Sequence, residues 1–322
     1  MKNFWKDLKK PIMVLAPMAD VTDVSFRFVI AKYGKPDVMW TEFVSADGIV
    51  LAPEKGKAKL LKDLEFDESE RPIVAQLFSS KPENMEKACR LVRELGFDGV
   101  DINMGCPDKS IERQGCGSAM IKNPQLAKEV IAAAKRGAGD IPVSVKTRLG
   151  YNKDELETWL PELLSTEPAV ITIHARTRKE MSKVPARWER VKRAVEIRNE
   201  LGSSTLIFGN GDAEDVADAR KKIEETGADG VMIGRGIFGN PFLFSERTDV
   251  TPEERLKVLI EHTKKYEEKL GGIKSFHIMK KHFKSYLKGI PDAKELCASL
   301  MNTENAAEVE VLINEFIKAS NL

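Results

Sequence analysis

The chain has 322 residues, of which 42% are hydrophobic and 31% are charged. This composition is typical of a soluble globular protein and excludes a disordered chain, and the strand-sized apolar runs exclude a membrane span, which needs about 20 residues. The length fits one barrel of roughly 250 residues with a small second domain.

Charge and cysteine content narrow the class of protein further. The 51 basic and 50 acidic side chains give a net charge of +1, which disfavours nonspecific nucleic-acid binding but is compatible with a local basic face. Residues 1–10 carry charge without the apolar stretch of a secretory signal, so we expect a cytoplasmic protein. The 4 cysteines lack Cys-x-x-Cys pairing and histidines at zinc spacing, so we expect neither a disulfide framework nor a metal site.

Residues 11–243 alternate short β-branched runs with longer amphipathic segments. The pattern predicts strands at 12–16, 38–43, 72–78, 99–103, 141–147, 169–174, 205–209 and 230–234. Helix starts such as Lys81-Pro82-Glu83 and Asn123-Pro124 lie between them. The runs are too apolar for a half-exposed sheet, which indicates parallel strands covered on both faces. This α/β pattern predicts a (β/α)₈ TIM barrel rather than a doubly wound sheet, because no Gly-x-Gly-x-x-Gly turn lies near its start.

The pattern changes after Phe244. Thr251-Pro252-Glu253-Glu254 is a helix start, and helical patterns follow at 251–270, 272–288, 291–302 and 304–319. No convincing strand lies among them. We therefore predict a barrel domain at 1–245 and a small all-helical C-terminal domain at 246–322.

The C-terminal ends of barrel strands form one rim, where active sites are built. Almost every predicted strand ends in a polar or ligand-capable side chain. Among these are Glu42, Gln76, Asn103, Cys106, Lys146, Arg148, His174, Arg176, Asn210, Asp212 and Arg235. Any one of them alone is more often a satisfied buried polar group, whereas so many on one rim favour a functional site.

The last two predicted strands end in glycine-rich turns, which include Gly211, Gly234 and the neighbouring Arg235. Loops at these two places in TIM barrels commonly bind phosphate through main-chain N–H groups. Lys146 and His174, on neighbouring strand ends, could stabilise negative charge on a planar cofactor such as reduced flavin. A Schiff-base lysine at position 146 is the alternative reading.

Cys106 lies on the turn that leaves the fourth predicted strand, in Asn103-Met-Gly-Cys-Pro-Asp108. A nucleophilic cysteine usually has a base beside it, and no histidine lies in this loop, although His174 could approach in space. An unperturbed thiol, with a pKa of about 8.5, is mostly protonated at neutral pH. The residues therefore favour Cys106 as a proton donor over a nucleophile, and Cys116 as a packing residue of a turn.

These motifs resemble those of the tRNA-dihydrouridine synthases. The resemblance runs in order through Ala16-Pro-Met-Ala-Asp-Val-Thr-Asp23, Asn103-Met-Gly-Cys-Pro107, His174-Ala-Arg-Thr-Arg178, Gly209-Asn-Gly-Asp212 and Met232-Ile-Gly-Arg-Gly236. It implies an FMN-dependent reduction of the uracil C5–C6 double bond in tRNA, with NADPH as the reductant. It further implies hydride transfer from the flavin to C6 and protonation of C5 by Cys106.

The resemblance also assigns site residues. It implies an FMN site at Pro17, Met18, Ala19, Gln76, Lys146, His174, Asn210, Gly211, Asp212, Gly234 and Arg235. It implies that the uracil and its phosphate lie near Asn103, Arg148, Arg176 and Arg178. The chain departs from the family pattern at Glu180, Ser182 and Val184, where Gln, Tyr and Gly are usual, so the uridine that is modified is not predicted.

Residues 272–288 combine basic and aromatic side chains without any acidic residue. The basic set is Lys274, Lys280, Lys281, Lys284 and Lys288, which we expect to contact tRNA phosphates. For Phe276, Phe283 and Tyr286 we favour inward packing over stacking on bases. The expected partner is thus tRNA, bound by a monomer that extrudes the uridine from its stack. Two alternatives stay open: an FMN barrel that reduces a small pyrimidine or enone, and a noncatalytic RNA-binding protein.

Overall fold

The computed structural model describes residues 3–320 and contains a barrel of short parallel strands. The strands are β1 (Ile12–Leu15), β2 (Met39–Trp40), β3 (Val44–Ser45), β4 (Ile73–Phe78), β5 (Gly99–Met104), β6 (Val143–Arg148), β7 (Val170–His174), β8 (Leu206–Asn210) and β9 (Gly230–Ile233). Their order is β1-β9-β8-β7-β6-β5-β4-β2, and a parallel bridge between Val14 and Val38 joins the two ends. The predicted TIM barrel is confirmed.

The second predicted strand, at 38–43, is a strand only at β2 in the structure, and β3 follows just outside the predicted range, at Val44–Ser45. Thr41 interrupts the ladder, because its Oγ1 accepts a hydrogen bond from Gln76 N (3.2 Å) and donates one to Glu42 O (2.8 Å). In the stretch of chain between β2 and β3, a side-chain oxygen thus takes the place of a main-chain acceptor for β4. Both strands pair with β4, so together they occupy one strand position of the barrel.

The barrel helices follow the strands and cover the sheet from outside. They are α1 (Val24–Tyr33), α2 (Ala46–Leu51), α3 (Glu54–Asp63), α4 (Pro82–Glu94), α5 (Lys109–Glu112), α6 (Pro124–Ala138), α7 (Leu156–Leu164), α8 (Trp188–Glu200) and α9 (Val216–Thr226). The predicted starts of α4 and α6 are confirmed, since each has proline in its first turn. Apolar helix faces pack on the strands and form the main core.

The inside of the barrel has two layers of different chemistry. Near the N-terminal ends of the strands it is filled by apolar side chains such as Val14, Trp40 and Phe208, against which Trp5 packs. Polar side chains such as Gln76 and Asp101 follow toward the C-terminal ends. The apolar layer closes the bottom of the barrel, so the chemistry is confined to the upper rim.

Four helices follow the barrel: α10 (Pro252–Leu270), α11 (Lys280–Tyr286), α12 (Ala293–Leu300) and α13 (Ala306–Ser320). Thr251 and Glu254 form a capping box at the start of α10, as their spacing predicts. The predicted helix at 272–288 is wrong in its first half. Gly272 has a φ of +74°, and only a short 3₁₀ turn at Phe276–Ile278 precedes α11.

The C-terminal helices pack on α1. Val24 and Val29 of α1 share an apolar cluster with Leu259 and Phe283, and Glu261 accepts a hydrogen bond from Lys32 Nζ at 2.7 Å. The inward packing favoured for Phe283 and Tyr286 is confirmed, because both are buried. The boundary at residues 245 and 246 stays a prediction. Within residues 3–320, none of the helices has the length and apolar character of a membrane span.

Candidate active site

A cavity of about 890 Å³ opens at the C-terminal ends of the strands. All of the predicted cofactor residues except Ala19 and Gln76 line it. These are Pro17, Met18, Lys146, His174, Asn210, Gly211, Asp212, Gly234 and Arg235. Ala19 is exposed outside the lining, and Gln76 is fully buried beneath it. Arg176, Ser182, Ser285 and Lys288 also contribute to the lining. The predicted rim residues that share this space are Lys146, His174, Arg176, Asn210, Asp212 and Arg235, whereas Cys106 lies outside its lining.

Lys146 is a half-buried cation in the lining of this cavity. Its Nζ donates to Asn210 Oδ1 at 3.2 Å, and Asn210 Nδ2 donates to Met232 O at 2.8 Å, which fixes the amide orientation. Within residues 3–320, no carboxylate lies within ion-pair distance of Lys146. Burial, together with the neighbouring charge of Arg148, lowers the pKa of Lys146 to about 8. A lysine in this state favours an anionic ligand.

One carboxylate of the cavity lining, Asp212, lies between two guanidinium groups. Asp212 pairs with Arg176 and, at 3.0 Å, with Arg235, and the hydrogen bond from Arg176 lowers the pKa of Asp212. Arg176 also approaches His174 Nε2 at 3.0 Å, so this nitrogen acts as the acceptor. Burial, with the surrounding cations, lowers the pKa of His174 well below its usual value. This wall therefore has a net positive charge and a neutral histidine.

The turn after β8 keeps the main chain close to this charged wall. Gly211 has a φ of +122°, and its carbonyl accepts from Trp188 Nε1 at 2.9 Å. A Cβ at this position would lie 2.9 Å from Ala186 Cβ and 3.2 Å from His174 Cδ2. Only glycine fits this close approach without strain.

The turn that carries Cys106 is held by hydrogen bonds on both sides. Asn103 Oδ1 accepts from Gly105 N (3.1 Å) and Cys106 N (2.9 Å), while Cys106 O accepts from Ser118 N and Ser118 Oγ, each at 2.9 Å. Burial raises the pKa of the Cys106 thiol. In the described part of the chain, no histidine forms a hydrogen bond with Cys106 Sγ. The geometry therefore favours a protonated thiol on a fixed main chain.

Three of the four predicted substrate residues, Asn103, Arg148 and Arg178, lie outside the cavity lining. The Arg148 guanidinium donates to three carbonyl oxygens, of Gly105 at 2.7 Å and of Thr177 and Met181 at 3.2 Å each. Arg178 pairs with Glu112 at 2.7 Å between Nε and Oε1. These contacts fasten the loop at 177–184, which departs from the family pattern, to the Cys106 turn. A direct role of either arginine in binding substrate remains a prediction.

The predicted tRNA-binding lysines have different environments. Lys274 is 11% exposed and pairs with Glu42 (3.0 Å) and Asp63 (2.7 Å), and these carboxylates raise its pKa despite its burial. Lys280 is 14% exposed and pairs with Glu304 at 3.1 Å. The remaining three, Lys281, Lys284 and Lys288, are exposed, and Lys288 reaches the mouth of the cavity.

Sequence reasoning missed two buried or half-buried carboxylates of this site. Asp101 accepts hydrogen bonds beneath Asn103, and Glu112 joins Arg178 to Ser118. The sequence did contain a signal for Asp101, because a charged residue inside an apolar strand run must find hydrogen-bonding partners. Glu112 had none, since its partner lies 66 positions away in the chain.

The family model "Dihydrouridine synthase (Dus)" matches residues 14–321. The chain belongs to the dihydrouridine synthase family. The enzyme class expected from the motifs is confirmed.

Similar curated proteins include one from Staphylococcus aureus (strain COL) named "Probable tRNA-dihydrouridine synthase". It is 43% identical over 320 residues, which cover 98% of this chain and 96% of that protein. The "Probable tRNA-dihydrouridine synthase 2" of Bacillus subtilis (strain 168) is 44% identical over 318 residues, which cover 98% and 97%. This dihydrouridine synthase is therefore similar to them over nearly its whole length.

Solved structures share the barrel with low sequence identity. Morphinone reductase in complex with tetrahydroNAD aligns with a TM-score of 0.51 and 14% identity, over 72% of this chain and 85% of that one. A 2-naphthoyl-CoA reductase complex aligns with a TM-score of 0.55 and 14% identity, over 75% of this chain and 50% of that one. At these identities the likeness establishes the fold.

Proposed function

We propose that this protein reduces the C5–C6 double bond of a uridine in tRNA to give dihydrouridine, with FMN as cofactor and NADPH as reductant. The observation that carries the proposal is that a half-buried Lys146, which has no ion-pair partner within residues 3–320, and the turn of the protonated Cys106 thiol follow from neighbouring strands on one barrel rim. The names of the curated relatives support tRNA uridine as the substrate.

The residues around the cavity fit FMN. The main chain at Gly211 and Gly234, with Arg235, would hold the phosphate, and a Cβ at Gly234 would approach neighbours only at 3.7 Å, which leaves room at this wall. Lys146, beside His174, would hold the polar side of the flavin ring. When bound, reduced FMN would supply the hydride that C6 of the uracil receives, and NADPH would reduce the flavin again for the next turnover.

The chain's own groups complete the reaction. The ammonium of Lys146 stabilises negative charge at the cofactor, as an electrostatic contribution that needs no movement of the protein. The Cys106 thiol donates a proton to C5, and its raised pKa keeps that proton in place until the base arrives. Cys106 is half-buried, so solvent can return the proton after turnover.

The C-terminal helices supply a surface for the RNA. The exposed Lys281, Lys284 and Lys288 lie on and just after α11, and Lys288 continues this basic surface to the cavity mouth. Phosphates along such a surface bind in a salt-dependent manner. The uridine must leave its stack to reach the cavity, as in other enzymes that act on bases. We further propose that the protein is monomeric and works in the cytoplasm with its tRNA.

Purified protein loaded with FMN and incubated with NADPH and an unmodified tRNA transcript tests the proposal. Nucleoside mass spectrometry should detect dihydrouridine, and tRNA from a strain lacking the gene should lose it at the same position. Flavin-loaded protein that leaves the transcript unmodified while reducing a free pyrimidine or enone would contradict the proposal and favour the small-molecule alternative. Protein that binds tRNA but no flavin would favour the noncatalytic one.

A further inference from the structure

A buried row of polar side chains runs from β6 to the Cys106 turn. Ser144 Oγ donates to Asp101 Oδ1 at 2.6 Å, and Gln76 Nε2 donates to Asp101 Oδ2 at 2.7 Å. Asn103 Nδ2 then donates to Gln76 Oε1 at 2.9 Å. Strand register places Gln76, Asp101 and Ser144 side by side on β4, β5 and β6. Asp101 is fully buried, and each of its two carboxylate oxygens accepts a hydrogen bond from one of these neighbours.

The direction of each hydrogen bond follows from the turn. Asn103 Oδ1 accepts from the main-chain N–H groups of Gly105 and Cys106, which can only donate. Asn103 Nδ2 must then donate to Gln76, whose oxygen accepts and whose nitrogen donates in turn. The row therefore needs an acceptor for Gln76 Nε2 at its far end. Burial raises the pKa of Asp101 to about 6, so at neutral pH the carboxylate form prevails and provides that acceptor.

We propose that Asp101 is a positioning residue for Cys106, which acts through Gln76 and Asn103 by fixing both amides in one orientation. Asp101 itself lies outside the cavity lining. Without an acceptor at position 101, the Gln76 amide could rotate, and the Asn103 oxygen would no longer be held toward the Cys106 turn. The proposal deepens the proposed function and rests on it for the role of the thiol.

The fixed orientation also bears on the choice of base. Asn103 Oδ1 already accepts two hydrogen bonds, so the group that Asn103 has left to offer is the second N–H of Nδ2. An N–H donor facing position 4 of the base would bind the O4 carbonyl of uracil, whereas cytosine has an amino donor at that position. Asp101 thus sets the donor character of the side chain next to Cys106.

The test compares Asp101→Leu, which removes the acceptor, with Asp101→Asn, which keeps one. In Asp101→Asn the new amide oxygen can accept from Gln76 while its nitrogen donates to the Ser144 hydroxyl, so kcat should stay close to that of the wild type. In Asp101→Leu we expect kcat to fall on the order of 100-fold, the effect of a small misplacement of a reacting group. Because Gln76 and Asn103 are also expected near the flavin and the uracil, kcat is compared at saturating tRNA, and the FMN content of both variants is checked by absorbance.

A matched control removes a buried carboxylate elsewhere. Asp229 is 7% exposed, pairs with Arg198 at 3.0 Å, and accepts from Ile207 N at the opposite end of the barrel. Asp229→Leu should lower the melting temperature while leaving kcat unchanged. If Asp101→Leu does not fold, Asp101→Thr is measured in its place with the same expected loss, since its hydroxyl is too short to accept from Gln76.

A second readout does not depend on catalysis. The rate at which iodoacetamide alkylates Cys106, followed by peptide mass spectrometry without substrate, should change severalfold in Asp101→Leu and little in Asp101→Asn. Wild-type kcat and alkylation in Asp101→Leu would overturn the proposal, as would an equal loss in both variants. A wild-type protein that makes no dihydrouridine would refute the proposed function instead, and the alkylation rates would still decide the role of Asp101.

Discussion

The charge of Lys146 makes FMN binding depend on pH. In the cofactor-free protein, burial lowers the pKa of Lys146 from the usual 10.5 to about 8. An anionic cofactor beside the lysine favours its charged form and raises that pKa again. Above pH 8, FMN binding must therefore be accompanied by the uptake of a proton, and the affinity should fall as the pH rises.

The size of this effect follows from the two protonation states. With a pKa of about 8, roughly nine in ten Lys146 side chains are charged at pH 7 and about one in ten at pH 9. If bound FMN keeps the lysine charged, the affinity should fall about tenfold between these values, or about 1.4 kcal/mol. The FMN phosphate, with a second pKa of about 6, is already about nine-tenths dianionic at pH 7 and adds little to the slope between pH 7 and 9.

Titration of the cofactor-free protein with FMN, followed by quenching of flavin fluorescence, measures this slope. Calorimetry in buffers of different ionisation enthalpy should detect close to one proton taken up at pH 9. Lys146→Met should bind FMN more weakly at pH 7 and show no slope between pH 7 and 9. A flat wild-type profile, or an equal slope in Lys146→Met, would refute the reasoning.

Three further predictions concern the thiol, the basic surface and the core of the C-terminal helices. Cys106→Ala should retain FMN and its reduction by NADPH while losing dihydrouridine formation; loss of FMN, measured by absorbance, would instead assign Cys106 a structural role. Lys281→Gln combined with Lys284→Gln should weaken tRNA binding and reduce the slope of log affinity against log salt by up to about 2, whereas Lys221→Gln on α9 should not. Burial lowers the pKa of His282 from 6.5 to about 3. The contribution of this side chain to the free energy of unfolding is therefore complete above pH 6.5 and is lost as the pH falls toward 3. From pH 7 to 5 this side chain alone should cost about 2 kcal/mol, so His282→Phe should show a correspondingly smaller loss of the free energy of unfolding in urea melts.

The barrel could be predicted from sequence because its signals are local. Apolar runs, proline at helix starts and the capping box at Thr251 each act within a few residues. The split between β2 and β3 could not, because it depends on Thr41 meeting Gln76 from the next strand. The helix predicted from 272 failed for a similar reason, since Lys274 turns toward carboxylates of the barrel.

The candidate site was predictable in its residue types and less so in their partners. The rim position of Lys146 and His174 follows from strand ends alone, and both line the cavity. Arg148 and Arg178 also follow strand ends, yet their guanidinium groups are taken up by carbonyls and by Glu112. Whether a cation faces a ligand or another part of the chain depends on long-range contacts that residue spacing does not contain.

The contacts of Lys274 connect the segment between α10 and α11 to the rim of the barrel. Its ammonium pairs with Glu42 at 3.0 Å, and the other oxygen of Glu42 accepts from Asp20 N at 2.5 Å. Asp20 belongs to the rim loop that also carries Pro17 and Met18 of the cavity wall. Because these groups are largely buried, the ion pair between the helices and the rim is screened little by salt. The segment between α10 and α11 is therefore anchored to the rim loop that forms part of the cavity wall.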